Sequence, residues 1–83
     1  MSQPRIEHLV QAPDMIGALL AAARKQAGMT QGQIGKQLGI TQGRVSQIER
    51  RASKVTVAMV LQYANLVGME FVLRPRRTPE SSW

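Results

Sequence analysis

Apolar residues along this chain recur at helical spacing through most of its length and then alternate near its end. Ile16, Leu19, Leu20 and Ala23 fall at i, i+3, i+4 and i+7, the core stripe of an amphipathic helix. Pro13 suits the first helical position and Asp14 the positive end of the helix. Arg24 and Lys25 suit its negative end, and Gly28 is a stop. Ile34 and Leu38 lie one turn apart on a second helix, and Val45 and Ile48 share a face of a third. Val57, Val60, Leu61 and Ala64 repeat the first stripe behind a capping Thr56, and Gly68 ends that helix. Met69, Phe71 and Leu73 then alternate with Glu70, Val72 and Arg74, the period of a strand, which Pro75 closes. The pattern predicts a mostly α fold: a compact helical bundle with one C-terminal β-strand.

The expected division is an N-terminal arm over 1–12, a helical domain over 13–68, a strand over 69–74 and a flexible polar tail over 75–83. An unpaired strand leaves backbone groups without partners. The simplest partner is the same strand of a second copy, antiparallel across a two-fold axis, which puts Met69, Phe71, Val72 and Leu73 in a dimer interface. The arm around Ile6 to Val10 is the competing partner. Met59, Tyr63, Leu66 and Val67 add apolar surface that also points to a dimer face, although Met and Tyr are also frequent core fillers.

The centre of the chain, TQGQIGKQLGITQGRVSQIERR from Thr30 to Arg51, carries the candidate chemistry. Thr30 and Thr41 can each cap a helix, because a threonine hydroxyl accepts from an orphan N–H of the first turn. Gly39 is a residue suited to a left-handed helix stop, and Ile40 is apolar within the turn. Ile34, Leu38, Ile40, Val45 and Ile48 could then meet in one cluster and set the angle between two short helices. That is the pattern of a helix-turn-helix. The polar face of the second helix offers Gln42, Arg44, Ser46 and Gln47, the side-chain types that read base edges. Gly43 lets the helix end approach DNA closely, and Thr41, Arg50, Arg51 and Lys54 are placed as backbone contacts, with a free solvated charge an equal reading for Arg51 and for Lys54. The competing reading is an ordinary amphipathic hairpin with a solvated polar face.

Charge favours the first reading. The chain of 83 residues has a formal net charge of +6. Between Gly28 and Lys54 the basic residues Lys36, Arg44, Arg50, Arg51 and Lys54 face only Glu49. A basic surface attracts phosphate through counterion release. With no Cys and one His, at position 8, neither a disulfide framework nor a metal site is expected, and no cofactor. No Ser/His/Asp or Cys/His set is present and no phosphate-cradling loop follows a strand, so catalysis is not expected. The absence of a membrane-length apolar run or a secretory leader fits a cytoplasmic protein with no membrane partner.

On these residues the chain resembles the lambda-repressor-like (Cro/C1-type, XRE) helix-turn-helix family, from Arg24, Gln26, Gly28, Thr30 and Gln31 through the motif to Leu61 and the strand-like end. Within it the chain is most similar to HipB-type antitoxins, in its short arm before Pro13, its strand after the last helix and its terminal Trp83. It departs from the family in Gly35, where Ala is preferred, and in Gly32; each glycine is expected to cost about 0.5–1 kcal/mol relative to Ala. The resemblance implies an Arg24–Glu49 pair. It also implies that Gln31 touches a DNA phosphate and braces Gln42, that the strand joins a dimer, and that Trp83 contacts a HipA-like serine/threonine kinase toxin. The implied function is a homodimeric repressor of its own operon, bound to a palindromic double-stranded operator. A stand-alone or phage-type regulator, or an interaction module with weak DNA binding, remains the alternative. Two further readings are an arm contact to the minor groove by Arg5 and, against the anchor role, an inert end at Trp83.

Overall fold

The computed structural model describes residues 6–76. Four α-helices follow in order: α1 Pro13–Gln26, α2 Gln31–Leu38, α3 Gln42–Arg50 and α4 Val57–Leu66, with a 3-10 turn at Ala52–Lys54 between α3 and α4. The expected start and stop signals act as local chemistry requires. Pro13 opens α1, and Arg24 and Lys25 occupy its last turn. Thr30 accepts from the Gln33 N–H at 3.1 Å while the Gln33 side chain accepts from the Thr30 N–H at 2.8 Å, a reciprocal capping box. Thr41 and Thr56 cap α3 and α4 by accepting from the N–H groups of Arg44 and Met59. Gly39 takes φ 72, the left-handed conformation that turns the chain from α2 into α3.

The core is aliphatic around one tyrosine. Leu20, Ile34, Val45, Ile48, Val60, Tyr63 and Ala64 are buried together, and Leu38 and Ile40 pack half-buried against them. The cluster expected of the motif therefore forms, with Leu38 and Ile40 on its rim. α3 lies against both α1 and α2, and α4 closes the bundle over α2. At the α1–α3 contact Gly17 is buried. A Cβ there would meet the Glu49 carbonyl oxygen and stand 2.7 Å from that of Ile48, so only glycine allows this approach. Gly35 plays the same part in the motif: a Cβ would stand 2.7 Å from the Ile40 carbonyl oxygen. Its cost in helix propensity is thus offset by packing, whereas Gly32 has only the Thr30 hydroxyl near it, at 3.8 Å.

Two expectations are corrected here. The α4 stripe is Val60, Tyr63, Ala64 and Val67; Val57 and Leu61, expected in the core, are 72% and 42% exposed. Tyr63 is wholly buried, and Met59, Leu66 and Val67 pack against the core rather than standing free, so the dimer-face reading of these four gives way to the core-filling one. Because α4 is apolar nearly all round, periodicity could not choose its inner face. Residues 69–76 carry no regular secondary structure, and no strand occurs among the described residues of the single chain, where the second copy expected to pair with it is absent. Within that segment Phe71, Val72 and Leu73 are exposed, and Met69 is half-buried. Arg74 reaches back to Glu7 of the arm at 3.3 Å, an exposed ion pair. Arg5 and Trp83 lie outside the described residues.

Candidate nucleic-acid interface

α3 buries Val45 and Ile48 completely, and this fixes what it shows to solvent. The opposite strip is Gly43, Ser46, Gln47 and Arg50, again i, i+3, i+4 and i+7, with Gln42 and Arg44 on its two shoulders near the N-terminus. Gln42, Gly43, Arg44 and Arg50 are exposed, and Ser46 and Gln47 are half-buried. Arg44 Nη1 donates to Gln47 Oε1 at 3.4 Å, so these two side chains lean together in the free chain. The four residues expected to read bases therefore occupy the first two turns of one exposed helix face. The interaction of Gly43 with its surroundings is slight: only the Thr41 hydroxyl lies near its α-carbon, so a backbone could approach there.

The flanks are basic. Lys36, Arg44, Arg50, Arg51 and Lys54 are all exposed. Arg50 ends α3, Arg51 is its C-cap, donating its N–H to the Gln47 carbonyl at 2.7 Å, and Lys54 closes the 3-10 turn. Thr41 is exposed at the start of α3, with its hydroxyl oxygen engaged by the Arg44 N–H at 3.1 Å.

Glu49, the one acid among these cations, faces inward. Its carboxylate receives Arg24 Nε at 2.8 Å and Arg24 Nη2 at 3.2 Å, Gln31 Nε2 at 3.0 Å, and the Tyr63 hydroxyl in a short hydrogen bond. Arg24 spends a further N–H on the Met29 carbonyl at 3.0 Å. Burial pushes the Glu49 carboxyl up, but the bonds from Arg24, Tyr63 and Gln31 outweigh it and leave the group below its ordinary value. The bond to Glu49 raises Arg24 against the opposing effect of burial. Burial, then the bond to Glu49, raises the Tyr63 phenol well above its usual range. Glu49 is thus neutralised internally by Arg24, and the outer surface of the motif keeps an uncompensated positive charge.

One carboxylate on α3 therefore ties in α1 through Arg24, α2 through Gln31 and α4 through Tyr63. The implied Arg24–Glu49 pair is present. The bracing of Gln42 by Gln31 is not: the Gln31 amide donates to Glu49 instead, because a buried carboxylate is a stronger acceptor than a neutral amide. Sequence reasoning missed Tyr63 in this cluster. The signal available was a lone tyrosine in an apolar helix, whose buried hydroxyl must find a partner. Among the described residues no group of three or more His, Asp or Glu side chains could hold a metal, and no helix is long and apolar enough to cross a membrane.

A family model described as a helix-turn-helix domain matches residues 16–76. Among solved structures, the chain is similar to one in a HipA–HipB–O2–O3 complex, with TM-score 0.74 and 20% identity over 82% of this chain and 96% of that one. It is similar also to one in a HipB–O4 20mer complex, with TM-score 0.73 and 20% identity over 82% of this chain and 96% of that one. At that identity the likeness is one of fold. No curated protein matches the chain by sequence.

Proposed function

The chain belongs to the helix-turn-helix domain family, and from that premise we propose that it is a homodimeric, sequence-specific DNA-binding repressor, the antitoxin partner of a HipA-like kinase toxin. The observation that carries DNA binding is the outward strip of α3. Gln42, Arg44, Ser46 and Gln47 stand on the first two turns of a helix whose other face is locked into the core, with five exposed cations around the motif. Gln and Arg can each make two hydrogen bonds to one purine in the major groove, and the flanking cations suit phosphate. The likeness of fold to HipB, in one complex that includes HipA, supports the toxin partnership.

The case for dimerisation rests on residues 69–74. Met69, Phe71 and Leu73 alternate with Glu70, Val72 and Arg74, yet the backbone there finds no sheet partner among the described residues. Pairing this segment with its two-fold copy supplies the hydrogen bonds and covers Phe71, Val72 and Leu73. Two α3 helices presented by such a dimer would enter successive major grooves about 34 Å apart and read a palindrome. The proposed role requires no catalysis, no cofactor and no metal, and it places the protein at an operator in the cytoplasm.

The test is titration of the purified protein against the DNA upstream of its own gene, beside a Gln42/Arg44/Gln47 triple-alanine variant, at two salt concentrations. Tight binding that weakens with salt and collapses in the variant is the expected result. Equal and weak binding by both proteins would make the fold an interaction module instead.

A further inference from the structure

Tyr63 sits on α4, outside the helix-turn-helix, and is wholly buried. Its hydroxyl donates to Glu49 Oε2, the oxygen that also receives Arg24 Nε at 2.8 Å. The other oxygen, Oε1, receives Gln31 Nε2 at 3.0 Å and Arg24 Nη2 at 3.2 Å. A carboxylate has about four lone-pair sites, and four donors occupy them. The two Arg24 contacts fix the carboxylate plane. The Tyr63 hydroxyl completes Oε2, so the carboxylate has no freedom to turn away from Gln31.

That geometry decides how Gln31 is presented. Gln31 is the first residue of α2 and is half-buried. An amide has one –NH2 with two donors and one carbonyl oxygen. With one N–H held by Glu49, the second N–H has no partner among the described residues, and a flip that brought the amide oxygen against the carboxylate would set acceptor against acceptor. We infer that Tyr63 is a positioning residue for DNA: through Glu49 it holds the Gln31 amide with a donor turned outward at the start of the helix-turn-helix, ready for a backbone phosphate. This rests on the operator-binding reading. It assigns to a buried α4 side chain, remote from the strip that meets bases, a share of the affinity that is independent of base sequence. The same network lowers the Glu49 carboxyl and so keeps it charged, as the hold on Gln31 requires.

A double-mutant cycle on the whole protein tests it, using the duplex upstream of its own gene as probe. Tyr63→Phe keeps the ring and removes the hydroxyl. In the Gln31 background it is expected to weaken binding about three- to tenfold, the range of one hydrogen bond's net contribution. In the Gln31→Ala background the same change is expected to leave affinity unaltered, because the relay has lost its end. An equal loss in both backgrounds, or no loss in the first, would overturn the proposal and leave Tyr63 as a core residue only. A wild type that fails to bind the duplex would instead remove the operator reading on which the relay depends. A second measurement does not rely on the folding of Tyr63→Phe. Since Tyr63 is the single tyrosine, 3-fluorotyrosine labels it alone. Its fluorine resonance should shift on adding the duplex to wild type and stay in place in Gln31→Ala. A resonance that does not move, or one that moves equally without Gln31, counts against the relay.

Discussion

A methyl group on Gly17 would press on two backbone carbonyls of α3, and neither can rotate away as a side chain could. Gly17→Ala is therefore expected to destabilise the fold by about 1–3 kcal/mol or more, the scale of overpacking a dense core. Gly32→Ala, at an open site, should stabilise it by about 0.5–1 kcal/mol through reduced freedom of the unfolded chain. Urea midpoints of the two variants, compared at equal slope, check the opposite signs. Glu49 gives a second expectation. Its carboxyl lies below the ordinary value of 4.5 when folded, so the unfolded chain takes up a proton first as acid is added. Stability from this group is fully present above pH 4.5 and is lost as pH falls through the folded value. Tyr63 has the opposite sign: its phenol is raised when folded, so its contribution is complete below pH 10 and lost in stronger alkali. Melting midpoints across pH should fall on the acid side in the wild type, and Glu49→Gln should flatten that limb.

Among the elements, α3 is short and depends on its ends. Thr41 supplies the one side-chain cap, and the helix has nine residues. Thr41→Ala is expected to cost about 1 kcal/mol of stability and to fray the turn that carries Gln42 and Arg44, so that operator affinity falls with it. Arg44→Ala should differ: stability unchanged and affinity reduced by about 1–3 kcal/mol for a lost two-point base contact. Comparing melting and DNA titration for both variants separates a cap from a reader. The caps and stops of these helices were legible in the sequence because they act over three or four residues: Thr30, Gly39, Thr41 and Thr56 need only their own helix to do their work. The inner face of α4 was not legible. Val57 and Leu61 are as apolar as Val60 and Ala64, and Tyr63 is drawn inward by a carboxylate 14 residues earlier in the chain.

Across the molecule, the apolar segment after α4 stands uncovered in the single chain. Phe71, Val72 and Leu73 are exposed, with Leu73 as open as in an extended chain. If this segment joins two copies, Leu73→Glu should shift sedimentation toward monomer and lower the apparent operator affinity. The free α3 helix itself would be unaffected, since α3 and its core lie elsewhere. A variant that stays dimeric would move the interface to another surface, and the exposed Val57 and Leu61 of α4 would be the next to examine.

Local pattern was enough for the helix-turn-helix: its caps, its left-handed turn at Gly39, and the polar set Gln42, Arg44, Ser46 and Gln47 on the next helix. Each of those features depends on neighbours within one or two turns, where chemistry and spacing are enough. Long-range packing set the rest: Gly17 is where α1 meets α3, Gln31 bonds Glu49 rather than Gln42, and Tyr63 closes the same carboxylate. Those outcomes depend on residues distant in the chain meeting in a dry core, where one buried charge must collect every donor within reach. No local pattern records which donors those will be.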